Sequence, residues 1–331
     1  MTPPTGWSVL TLVSGAFLAV QARMNGELAV AFGHGLDAAI WSFGSGLLVL
    51  CVLLALLPSM RAGFGSVRVA LRSGSLRWWQ CIGGTVGGLY VFTQAYAVPL
   101  AGVALFTIAV VGAQTISAVG VDRFGIGPAG PVAVTWPRVA AALLAVVGVV
   151  ISVGDRVRGT SGAVVVPVVL AALAGAAMTV QQGINGRVTV AAGQPLTTTW
   201  LNFAFGSAVL WLIAIPASRG SAFGAPESLT VPWWAWFGGV LGVGIIAVGA
   251  VSVRHLGVLL VSLLMLAGQL LAAVLLDLLD ASTRGHITPV AILGLLVTLA
   301  AAVLAGLAAT RRPRHTGTDA AGQDADASVA G

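Results

Sequence analysis

Four amide side chains stand at matching places in otherwise apolar stretches of this chain. Gln21 and Asn25 lie in Val20-Gln21-Ala22-Arg23-Met24-Asn25-Gly26; Gln181 and Asn185 lie in Val180-Gln181-Gln182-Gly183-Ile184-Asn185-Gly186. Residues four apart share one face of a helix, so each pair aims two amides in one direction. An amide both donates and accepts hydrogen bonds, so such a pair suits recognition of a polar solute. The same side chains can instead tie helices together inside a bilayer. The recurrence favours solute contact, although a structural hinge would recur too. The Asn-Gly step is expected to weaken each helix at an equivalent point. Interrupted apolar helices at corresponding positions point to a transporter's central site.

Further candidates surround them. Gln114 and Gln269 fall mid-segment, each eight residues before an aspartate, Asp122 or Asp277. A glutamine at that depth is costly unless hydrogen-bonded, so it either lines a cavity or clamps a neighbour. The aspartates end their helices and are read as solvated helix ends rather than proton carriers. Arg23 and Glu27 are four apart and can pair, and Arg187 occupies the position that matches Glu27, so an ion pair between the copies is also open. Charge inside a membrane is usually functional, which makes Glu27 and Arg23 the candidates for proton coupling. A position near the outer helix end, where long side chains snorkel cheaply, is the competing reading. Tyr90, Gln94, Tyr96 and Trp41 are candidates for a cavity wall.

Other chemistries are excluded or left without support. The chain has no lysine, so a Walker-type phosphate loop is absent and ATP-driven pumping through one is excluded. Gly83-x-x-x-Gly87, Gly84-x-x-x-Gly88 and Gly238-x-x-x-Gly242 follow no strand and read as ridges where helices approach closely. His34, His255, His286 and His315 show no ligand spacing, and Cys51 and Cys81 sit in apolar segments without counterparts. No metal, disulfide or cofactor is expected. No basic stripe with interleaved aromatics supports nucleic-acid binding. An enzyme would need clustered carboxylates or an activated nucleophile within the segments, and none is present.

The elements that carry these residues follow from composition. Hydrophobic residues make up 58% of the chain and charged residues 8%, with a mean hydropathy of +1.00. A soluble domain carries about a quarter charged residues, so lipid is the expected solvent. Ten apolar segments are read at roughly 7–32, 36–57, 78–98, 101–121, 137–153, 163–190, 195–216, 232–253, 256–279 and 289–309. An offset of 160 carries the first part of one copy onto the other, from Gly15/Gly175 through Gly33/Gly193, Phe43/Phe203 and Gly46/Gly206 to Leu50/Leu210. An offset of 155 carries the second part, matching Trp78-Trp79 with Trp233-Trp234, Gly83-Gly84 with Gly238-Gly239, Gln114 with Gln269 and Asp122 with Asp277. The first segment is not a signal peptide, since no positive charge precedes it and it recurs internally.

The expected fold is therefore an all-α integral membrane protein of about ten transmembrane helices in two inverted five-helix repeats. Its expected parts are an N-terminal cytoplasmic stub (1–6), a first repeat (7–155), a second repeat (156–310) and a disordered cytoplasmic tail (311–331). Five spans per copy force opposite insertion of the copies. With both termini in the cytoplasm, ten arginines (Arg61, Arg68, Arg72, Arg77, Arg123, Arg138, Arg254, Arg311, Arg312 and Arg314) lie inside, against four outside (Arg156, Arg158, Arg219 and Arg284).

The Gly15…Gln21-x-x-x-Asn25-Gly26 helix, Gly33, Phe43-x-x-Gly46 and Gln114…Asp122-Arg123-Phe124-Gly125 together resemble the YdcZ-like family of the drug/metabolite transporter superfamily, in a fused ten-span form. The second copy departs from the pattern, reading Asp277-Leu278-Leu279-Asp280 where the first reads Asp122-Arg123-Phe124-Gly125. The resemblance implies an exporter of small metabolites or drug-like solutes in the inner membrane, working by alternating access as a monomer or homodimer. Gln21, Asn25, Gln181, Asn185, Gln114 and Gln269 are the expected substrate contacts. A lipid or glycolipid flippase, or an accessory membrane subunit, is the alternative.

Overall fold

The computed structural model of the chain describes residues 5–127, 131, 134–159, 163–217, 231–256, 258–281 and 288–310, so the expected tail lies outside the described residues. Among the described residues every regular element is helical. The first half contains α1 (Thr5–Phe32), α2 (Gly35–Leu56), α3 (Pro58–Arg72), the single turn α4 (Trp78–Cys81), α5 (Gly84–Ala101), α6 (Val103–Arg123) and α7 (Trp136–Gly159). The second contains α8 (Val165–Ala192), α9 (Pro195–Ala217), a 3₁₀ turn at Trp233–Phe237, α10 (Gly238–Leu256), α11 (Val258–Leu279) and α12 (Pro289–Thr310). All ten apolar segments are helices. Among the described residues, α1, α2, α6, α8 and α9 are long and apolar enough to cross a membrane, and shorter apolar runs occur at 139–151, 233–246, 264–279 and 292–301.

Two expectations change. Neither Asn-Gly step interrupts its helix: α1 and α8 each run unbroken for 28 residues. A glycine costs only about 1 kcal/mol in a helix interior, which close packing on both sides offsets. Both helices stop instead at the matched glycines Gly33 and Gly193, whose φ angles of 70° and 66° need a residue without a Cβ. The second change is α3, read from sequence as an arginine-bearing loop. It is a helix with Pro58 in its first turn and Met60, Gly63 and Val67 buried. Thr197 of α9 donates its hydroxyl to the carbonyl of Met60 at 3.0 Å, which fastens α3 to the second half.

The halves interlock rather than sit side by side. Helix α1 packs on α10 and α11, and its counterpart α8 packs on α5 and α6. Helix α2 meets its own counterpart α9, as α7 meets α12. Small residues allow this closeness. A Cβ added at Gly15 would stand 2.1 Å from the Met265 carbonyl, and one at the matching Gly175 would stand 2.5 Å from that of Val110. Large apolar side chains such as Leu48, Leu56, Leu173 and Leu212 are more than 60% exposed on the outside of the bundle. Hydrocarbon is the solvent in which that surface costs nothing. Cys51 is exposed on it, not packed inside as its apolar setting suggested.

Candidate functional site

The centre of the bundle is built around two aromatic rings. Phe43 of α2 and Phe203 of α9 stand with centroids 4.9 Å apart. Each presses on the other half's glycine: a Cβ at Gly46 would lie 2.2 Å from Phe203 Cε1, and one at Gly206 would lie 2.2 Å from Phe43 Cε1. Only glycine admits a ring there.

The amide pairs flank these rings, and each faces the glycine ridge of the opposite half. A Cβ at Gly238 would stand 2.9 Å from Asn25 Oδ1, and one at Gly242 would stand 2.6 Å from Gln21 Nε2. Reciprocally, the corresponding distances are 3.2 Å from Gly83 to Asn185 Oδ1 and 3.1 Å from Gly87 to Gln181 Nε2. The glycine ridges read as packing devices are therefore seats for the amides of the other copy. The same glycines touch the rings, for a Cβ at Gly87 would lie 3.5 Å from Phe43 Cζ and one at Gly242 would lie 3.6 Å from Phe203 Cζ.

Hydrogen bonds fix three of the amides. Gln21 donates through Nε2 to the Gly238 carbonyl at 2.9 Å. Asn25, fully buried, donates through Nδ2 to Gln94 Oε1 at 2.5 Å. Gln181, 3% exposed, donates through Nε2 to Asn202 Oδ1 at 3.0 Å. Asn25 Oδ1 and Gln181 Oε1 are buried without a partner. Asn185 is half-buried. Asn202 escaped the sequence reading because its match in the first half is Ser42, which shares its place but not its chemistry. Gln94 was flagged only as a wall residue, since its bond to Asn25 spans 69 positions.

The other expected contacts lie elsewhere along the bundle. Gln114, half-buried on α6, accepts the Thr179 hydroxyl at its backbone carbonyl at 3.4 Å. Gln269 is buried on α11. Asp277 is not a solvated helix end. It is 4% exposed, and its two carboxylate oxygens accept the backbone N–H of Val103 at 3.1 Å and of Ala104 at 2.9 Å. It thus caps the start of α6 from the other half, satisfying orphan donors where the helix dipole favours negative charge. The side chain of the matching Asp122 lies outside the described residues.

Arg23 pairs with Glu27 at 2.6 Å and also with Asp280, the three side chains being 24%, 26% and 17% exposed. The ion pair between Glu27 and Arg187 left open by the sequence does not form. Arg187 donates instead to the carbonyls of Ile126 at 2.7 Å and Gly125 at 2.6 Å, in the turn after α6. Asp280 stands where Gly125 stands in the first half, so both arginines reach the same turn of the opposite copy. The departure from the family pattern at Asp280 supplies a partner for Arg23.

Among the described residues no group of histidines, cysteines and carboxylates could hold a metal. Compared with the curated proteins and with the solved structures, the chain finds no significant match. The model of the family described as "Putative inner membrane exporter, YdcZ" matches residues 6–151 and again residues 166–304. Two successive matches, in a helical chain with a lipid-compatible surface, account for the recurrence of every feature above: the chain belongs to the YdcZ family of the drug/metabolite transporters, as a fusion of two family units and a multi-pass membrane exporter.

Proposed function

We propose that the protein exports a small polar solute across the inner membrane by alternating access, with Gln21, Asn25, Gln181 and Asn185 contacting the solute. The observation that carries the reading is the reciprocal seating of each amide pair on the other half's glycine ridge, around Phe43 and Phe203. Movement of one half against the other must change both seats together, so solute contact and rearrangement share the same atoms. Gln114 and Gln269 would line the path farther along. The copies would insert in opposite orientations, one repeat over 7–155 and the other over 156–310, with both termini cytoplasmic.

In that arrangement Arg23 with Asp280, and Arg187 with the Gly125–Ile126 turn, lie toward opposite membrane faces. Each would act as a clasp that parts when its face opens. Glu27 shares the Arg23 guanidinium with Asp280, so protonating one carboxylate would loosen a clasp that holds two. That places proton coupling at Glu27 and Arg23.

The test is flux in proteoliposomes of purified protein, with amino acids, organic cations and weak acids offered with and without a pH gradient. A saturable signal lost in Asn25→Ala and Asn185→Ala, both still folded by circular dichroism, is the expected result. Undiminished flux in both variants would remove the amides from the mechanism, and silence across the panel from folded protein would remove transport of these solutes.

A further inference from the structure

The unpartnered atoms of the central site are all of one kind on its amides. Each of Gln21, Asn25 and Gln181 spends its NH2 group on the protein. The orientation of Gln21 is compelled, because the Gly238 carbonyl can only accept. What is left buried and unpaired is a pair of carbonyl oxygens, Asn25 Oδ1 and Gln181 Oε1, one from each half. An acceptor buried without a donor costs about 1–3 kcal/mol, so two at matched positions call for a ligand that supplies hydrogens.

The setting is also electrically neutral or negative in its partial charges. Arg23 and Glu27 lie two residues to either side of Asn25, about 200° around α1, and so on the flank away from the amide face. They are engaged with each other and with Asp280. The rest of the immediate lining is Phe43, Phe203 and glycine. Carbonyl oxygens and the negative faces of aromatic rings both attract positive charge and repel an anion. Trp200 Nε1, an unpartnered buried donor, belongs to a different patch, edge-on to Phe64 of α3.

We infer that the central site takes a solute through N–H or O–H donors, a protonated primary or secondary amine above all, and discriminates against carboxylates and phosphates. The inference rests on the amide site proposed above and names its substrate class. The donor hydrogens would bridge Asn25 Oδ1 and Gln181 Oε1, while the apolar part of the solute lies on the two phenyl rings.

Equilibrium binding of radiolabelled ethanolamine to the purified full-length protein, read by scintillation proximity, tests it. The expected result is saturable binding that tetramethylammonium, of the same charge but without donors, displaces at least tenfold more weakly, and that acetate does not displace. Gln181→Met, which keeps the length of the side chain and removes the acceptor, is expected to weaken binding at least tenfold. Displacement by acetate as good as by unlabelled ethanolamine would overturn the inference, as would tetramethylammonium competing equally or an absence of saturable binding to the wild-type protein. The last three comparisons use the wild-type protein and do not depend on how a variant folds. Saturable flux of an anion that requires Asn25 would sink the donor inference and leave transport standing. Saturable ethanolamine binding without flux of any solute would do the reverse.

Discussion

The guanidinium of Arg23 on α1 rests on the carboxylate of Asp280, just past the end of α11, and so ties the first half of the chain to the second. Glu27 takes the same guanidinium from the other side at 2.6 Å. Because all three side chains are at least three-quarters buried, solvent screens the cluster less than it would a surface pair. Removing the arginine leaves two carboxylates facing each other without compensation. Arg23→Gln is expected to lower the thermal midpoint in detergent more than Asp280→Asn does. A double-mutant cycle on Arg23 and Asp280 should return a coupling of about 1–2 kcal/mol. Additive effects would mean that the clasp contributes nothing.

Arg187 makes the corresponding clasp without an acid. Its Nε and Nη2 reach two successive carbonyls, a geometry that a planar fork satisfies and an ammonium does not. Arg187→Lys is therefore expected to lose most of what Arg187→Met loses, about 1–3 kcal/mol of stability. A lysine variant that melts with the wild type would show that charge alone suffices there.

Asp277 holds two backbone donors at the start of α6. Asp277→Ala should leave both N–H groups without that acceptor and cost about 2–4 kcal/mol. Asp277→Asn keeps one acceptor oxygen and should cost roughly half as much. Hydrogen exchange at Val103 and Ala104 is the direct readout: faster exchange in both variants is expected, and unchanged protection would contradict the cap.

Two glycines separate packing from propensity. A Cβ at Gly239 would lie 1.8 Å from the Ser42 carbonyl, whereas one at Gly44, on the outward side of the same α2, meets nothing within 4 Å. Gly239→Ala should disrupt the α2–α10 contact and yield little folded protein. Gly44→Ala should be neutral or gain about 0.5–1 kcal/mol from helix propensity. Melting temperatures of the two variants in one detergent decide it, and equal behaviour would refute the close approach.

The sequence alone determined the elements and their duplication. Apolar runs of about 20 residues have one stable form in hydrocarbon, a helix that satisfies its own backbone, so all ten segments could be placed from composition. Two constant offsets exposed the copies, and four-residue spacing put Gln21 with Asn25 and Gln181 with Asn185 on shared faces. The amphipathic α3 was hidden because its arginines resembled those of a loop.

Tertiary structure alone decided what each polar group meets. Asn25 finds Gln94, Gln181 finds Asn202, Asp277 finds the start of α6, and Arg187 passes over Glu27 for the carbonyls of Gly125 and Ile126. The apparent breaks at Asn25-Gly26 and Asn185-Gly186 stay helical for the same reason, since packing on both sides overrides a weak local preference. Periodicity is a property of one helix and is written along it. Partnership depends on the depth and rotation at which two helices from different halves settle, and close contacts set that register, such as Gly15 on Met265 and Gly175 on Val110, which join residues distant in the chain.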